Sequence, residues 1–152
     1  MRLGTVLAVI AGALAVVAVV LASCSGDEKR LTYPQFQTAA SSICLRYHRG
    51  LQKLGSPSSL PRIGRIARGA YRLGRAERSS LEELRPPRDA AKGFSQFLDE
   101  LGAADALLPD LWRAAEAKDL GRARTLVRQG RAHVAQANVH ARGIGISDCR
   151  RS

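Results

Sequence analysis

Aromatic side chains are scarce in this chain of 152 residues, which has three Phe, three Tyr and one Trp. β-Branched residues are scarce beyond the first two dozen positions, and no segment alternates apolar and polar residues with a period of two, which excludes a sheet. Chemistry-bearing patterns are missing too. There is no Gly-x-Ser-x-Gly elbow and no glycine-rich phosphate loop. The three histidines fall in neither a Glu-x-x-His nor a His-x-x-x-His spacing, and His133 and His140, seven apart, lie about 10 Å apart on a helix. Glu82-Glu83 and Asp99-Glu100 are adjacent pairs that diverge around a helix and read as surface carboxylates. No enzyme activity, cofactor or metal is therefore expected, and His48, His133 and His140 read as residues on the edge of the fold.

What is present begins at the amino terminus. Met1-Arg2 precedes an apolar run from Leu3 to Leu21, and no charge follows until Asp27. A basic start followed by an apolar core is the physical form of an export signal. The run closes on Leu21-Ala22-Ser23-Cys24, which resembles the lipobox of bacterial lipoproteins. That resemblance implies a diacylglyceryl thioether on Cys24, cleavage after Ser23, and a protein anchored through lipid to the extracytoplasmic face of the cell membrane. Each buried methylene adds about 0.8 kcal/mol, so two or three acyl chains give stable attachment. The alternative is an uncleaved single-pass anchor, since about 20 apolar residues span a bilayer. Both place the remainder outside the cytoplasm.

Residues 1–23 are thus expected to be a signal peptide, 24–33 the lipidated cysteine with a short polar linker, and 34–152 one domain. Only three cysteines occur, and lipid accounts for Cys24. Cys44 and Cys149 remain, and an oxidising compartment makes a disulfide the expectation, with two buried free thiols as the alternative.

The domain reads as four amphipathic helices. The first, about Pro34 to Leu54, carries Phe36, Ala40, Ile43 and Tyr47 at spacings of three and four, with Leu51 flanking the stripe. The second, about Pro61 to Leu84, carries Ile63, Ile66, Ala67, Ala70, Leu73 and Leu81, and ends before Pro86-Pro87. The third runs from about Arg88 to Lys118 through Phe94, Phe97, Leu101, Leu108 and Trp112, with the aromatics expected in the core. Pro109 predicts a kink or break in it near Leu107-Leu108. Asp119 predicts the N-cap of a fourth helix through Leu120, Ala123, Val127, Val134, Ala137, Ala141 and Ile144, frayed at Gly143 and Gly145. Short loops between long helices favour antiparallel neighbours, hence an all-α, up-down-up-down four-helix bundle. In that order the end of the fourth helix approaches the first half of the first, where Cys44 lies.

Phe36…Ile43-Cys44, Leu81…Leu84-Arg85-Pro86-Pro87, Phe94…Phe97-Leu98…Leu101 and Gly145-Ile146-Ser147-Asp148-Cys149 together resemble a group of small actinobacterial lipoproteins. The resemblance covers most of residues 33–149 and departs from the pattern at Pro109. It implies the fold and the disulfide and carries no activity.

Charge is the most informative surface feature, with 24 Lys and Arg against 13 Asp and Glu. The first, second and fourth helices carry net +3, +4 and +5, and the third −2. In an up-down bundle the three basic helices form one wall. Arg62, Arg65, Arg68, Arg72 and Arg75 recur at steps of three and four opposite the apolar stripe of the second helix, and Arg128 and Arg131 lie on the fourth. Arginine binds phosphate or carboxylate through a planar fork of donors. These seven are the candidate anion-binding residues, for anionic lipid, a wall polymer or an acidic protein. No nucleic-acid partner is expected outside the cytoplasm. A solvated, arginine-rich face without a role gives the same pattern. The functional expectation is a non-catalytic interaction module, and the alternative is a small-ligand carrier with a cavity near the Pro109 break.

Overall fold

The helices form where the periodicity places them, and each begins or ends for a local reason. In the computed structural model, which describes residues 29–151, the chain forms five α-helices, with no strand among the described residues. The signal segment, Cys24 and most of the linker lie outside those residues. Among the described residues no helix is long and apolar enough to cross a membrane.

Helix α1 spans Tyr33–Leu54, with Pro34 in its first turn and a capping box at Thr32, whose backbone N–H donates to Gln35 Oε1 at 3.0 Å. Helix α2 spans Leu60–Glu82. The expected third helix is two: α3, Arg88–Ala106, and α4, Leu108–Glu116. The break falls at Leu107 because Pro109 has no N–H to continue the ladder and fits only the first turn of a new helix. A Schellman turn follows α4, in which Lys118 (φ 57°) and Asp119 donate to the Ala115 and Ala114 carbonyls. Asp119 then caps α5, Leu120–Gly143, accepting from the Arg122 N–H at 2.8 Å.

The end of α5 corrects one expectation. Gly145 (φ 73°) does not fray the helix. It closes a second Schellman turn, with the N–H groups of Gly145 and Ile146 on the Arg142 and Ala141 carbonyls, and Ile146 is fully buried behind it. The linker is corrected too, because Leu31 N–H donates to the Arg85 carbonyl at 2.8 Å and Arg30 to that of Pro86 at 3.1 Å. The chain is therefore docked on the α2–α3 turn before α1 begins.

The helices pack as an all-α bundle. Helix α1 lies against α2, α2 against α3 and α4, and α5 chiefly against α3 and α4. The main core joins Phe36, Ile43, Leu81, Phe94, Phe97, Leu101, Ala141 and Ile146, with the Phe36 and Phe94 rings edge-to-face at 5.0 Å. A smaller cluster, Ala114, Ala123 and Leu126, sits at the far end under Leu60, Leu107 and Leu111. Helix α1 meets α5 mainly through the segment after it, where Ser147–Cys149 forms a 3-10 turn in the seam between them. There Cys149 is bonded to Cys44 across a sequence separation of 105 residues.

A closed loop of that length contributes about 4.7 kcal/mol in the chain-entropy model. Replacing both cysteines, Cys44→Ala with Cys149→Ala, is expected to cost 2–5 kcal/mol, read as a fall in denaturant midpoint. An unchanged midpoint would remove the disulfide from the stabilising interactions.

Candidate functional site

The seam between α1 and α5 is closed along only part of its length. Toward the chain entry it is filled by residues 144–151, and beyond them it opens into a groove of about 540 Å³. Tyr47 and Leu51 of α1 form one wall, Leu126, Val127, Gly130, Val134 and Asn138 of α5 the other, and Ala70, Ala104, Leu107, Leu108 and Leu111 the floor. The groove lies over the break at Leu107, where α3 ends and α4 begins. Helix α5 packs on α3 and α4 and makes little direct contact with α1. Two residues expected in the core report the same gap, Leu120 at 43% and Val127 at 37% exposure. Their stripe on α5 is apolar, but α1 does not cover it.

The inner end of the groove is charged. Arg151, which lines it, forms ion pairs with Glu77 of α2 and Asp105 of α3, the latter at 3.2 Å. The two carboxylates are 4% and 5% exposed. Asn138 clasps Arg151 from α5, accepting from its N–H at 2.8 Å and donating to its carbonyl at 2.7 Å. The guanidinium carbon lies 4.2 Å from the Tyr47 ring centroid, a cation–π contact. One cation thus serves two buried carboxylates. Glu77 Oε1 and Asp105 Oδ2 have no hydrogen-bond partner among the described residues. Helix α2 comes this close to Asp105 only because residue 74 is glycine, where a Cβ would stand 2.4 Å from Asp105 Oδ2. Burial pushes the Glu77 carboxyl up to about 7, against the opposing pull of Arg151. Burial likewise raises Asp105, and holds the Tyr47 hydroxyl at about 12.

The candidate arginines fall into two separate sets. Arg65, Arg68, Arg72 and Arg75 are exposed along the outward face of α2, and Arg62 is half-buried near its start. Arg68 pairs with Glu116 and lies 5.7 Å from the Trp112 ring, and Arg75 lies 5.9 Å from that of Tyr71. Arg128 and Arg131 are exposed on α5 beside the groove. Helices α2 and α5 share no main interface, so the structure does not gather the two sets into one wall. Trp112 is half-buried between Arg68 and Tyr71, whereas Phe94 and Phe97 are core. Each histidine is half-buried at the edge of the fold, and His133 Nδ1 lies 2.7 Å from Glu100 Oε2. Among the described residues no group of three or more His, Cys, Asp or Glu is placed to hold a metal ion.

The raised Glu77 carboxyl makes stability depend on pH. A carboxyl whose folded value, about 7, exceeds its unfolded 4.5 binds its proton more tightly in the native state. Its contribution is full below the unfolded value and is lost as pH rises through the folded one. The denaturant midpoint is expected to fall as pH rises from about 5 to about 8, and to fall much less in Glu77→Gln. Equal slopes in the two proteins would contradict the assignment.

Compared with known proteins, the chain matches no family model, no curated protein and no solved structure.

Proposed function

We propose that the chain is a lipid-anchored, extracytoplasmic, non-catalytic lipoprotein that holds a small apolar or amphipathic molecule in the groove between α1 and α5. The single observation that carries this is the groove itself. Its volume of about 540 Å³ falls within the ~300–1,000 Å³ of small-molecule sites, and its lining is mostly aliphatic with a few convergent polar groups. An unfilled aliphatic surface of that kind is costly in water, and a ligand that covers it gains about 25 cal/mol per Å² of apolar area buried. The lipobox and the apolar run before it support the anchored location.

A second reading, docking on envelope anions, is favoured by the outward face of α2. Arg65 and Arg72 stand exposed there, with no carboxylate within ion-pair distance among the described residues. Basic residues near an anionic surface each gain about 1 kcal/mol. The two readings use different surfaces and are compatible.

A lipid-free chain beginning at Ser25 is expected to enhance Nile red fluorescence saturably, with one site per chain. Val134→Trp, which fills the groove, should abolish the enhancement and leave thermal stability within a few degrees. Undiminished enhancement in that variant would move the ligand elsewhere. For the basic face, binding of the same chain to anionic vesicles should weaken steeply with salt. It should be lost on reversing Arg65, Arg72 and Arg75 to Glu, and equal binding by that variant would exclude the α2 face.

A further inference from the structure

The seam groove does not end at Leu126. A second depression, about 370 Å³, continues it over Ile63, Leu120 and Ala123, and the two share Leu111, Val127 and Arg131. From Leu120 to Asn138 the combined track follows α5 for about 27 Å, at ~1.5 Å per residue. A bilayer's hydrocarbon core, about 30 Å thick, holds two acyl chains end to end, so one chain needs ~15 Å. The track is long enough for one alkyl chain and a head beyond it.

Charge decides which kind of head. Arg124, Arg128 and Arg131 line the outer stretch of this track at positions i, i+4 and i+7, and all three are exposed. Among the described residues none has a carboxylate within ion-pair distance, and Arg128 has only a 3.5 Å contact to Thr125 Oγ1. Helix α5 contains no Asp or Glu at all. The inner end carries no such positive excess, because Arg151 is engaged by Glu77 and Asp105. An anionic head is drawn to the arginines, and a cationic head is repelled by them.

We propose that the groove takes a single-chain anionic amphipath, its tail along Leu107, Leu111, Leu126 and Val134 and its carboxylate or phosphate head on Arg124, Arg128 and Arg131. This rests on the groove reading above and adds the chemistry of the ligand. The guanidinium fork bonds either oxyanion in bidentate fashion, which a neutral or cationic head does not offer. Two sources supply such a head: a fatty acid, with a carboxylate, or a lysophospholipid or lipid phosphate, with a phosphate.

The test uses the full chain in phosphatidylcholine nanodiscs and four photoreactive probes with the same diazirine-bearing alkyl tail. Their heads are carboxylate, phosphate, hydroxyl and trimethylammonium, and adducts are mapped by peptide mass spectrometry. The acidic probes are expected to label the segments 107–111 and 126–138 at least fivefold more than the trimethylammonium probe. A higher yield from carboxylate or from phosphate names the source. Arg124→Glu, Arg128→Glu and Arg131→Glu together should erase or reverse the preference, and the milder Arg→Gln triple should erase it, each retaining the Cys44–Cys149 bond by intact mass. Equal labelling by all four heads would overturn the anionic assignment and leave the groove reading standing. Labelling no higher than on the outer face of α2 would overturn both.

Discussion

Residues 144–151 lie across the bundle as a clasp, and most of the unusual features of the structure depend on it. The Cys44–Cys149 bond holds this segment against α1, and Asn138 holds it against α5. Together they place the Arg151 guanidinium between two carboxylates that no other basic group neutralises as closely. Isolated buried carboxylates are costly in a protein interior, and an ion pair offsets that cost only when it is well made. Here it is made by a residue near the end of the sequence, tied down by a covalent bond two positions earlier. The clasp also sets the length of the groove, since it fills the seam between α1 and α5 up to Arg151 and leaves the remainder open.

Much of this was legible in the sequence because it follows from local chemistry. Pro86-Pro87, Pro109 and Asp119 each act on the backbone within a turn, and each marks an element boundary where expected. The two cysteines left after Cys24 were legible by counting. Glu77 and Asp105 were counted among the surface charges, yet both are buried. A signal for them existed. Glu77 lies four residues before Leu81 on the apolar stripe of α2, and Asp105 four after Leu101 on that of α3. A carboxylate on a core stripe predicts a buried partner, but the identity of that partner depends on where the clasp lies, which no local pattern encodes.

The groove was legible only in outline. Pro109 predicts looser packing, and Leu107, Leu108 and Leu111 beside it line the groove. The exposure of Leu120 and Val127 could not be read, because an apolar stripe shows that a face is suited to burial and not whether a neighbour covers it. The arginine wall has the same weakness. Net charge per helix is a property of composition, while its division into an outward set on α2 and a groove-side set on α5 is a property of packing. The charge map therefore separates two surfaces with different chemistry, one facing outward beside Trp112 and Tyr71 and one bordering the aliphatic groove.

The position of the clasp in the chain also constrains the order of assembly. Glu77 and Asp105 emerge from synthesis well before Arg151, and Cys44 before Cys149. A partly delivered chain has the hydrophobic stripes it needs to collapse but not the counter-charge that makes its interior tolerable. Its helices can gather while Glu77 and Asp105 still lack their partner. The counter-charge and the covalent bond both come from residues 144–151, so the buried charge cluster and the inner end of the groove are completed late and together.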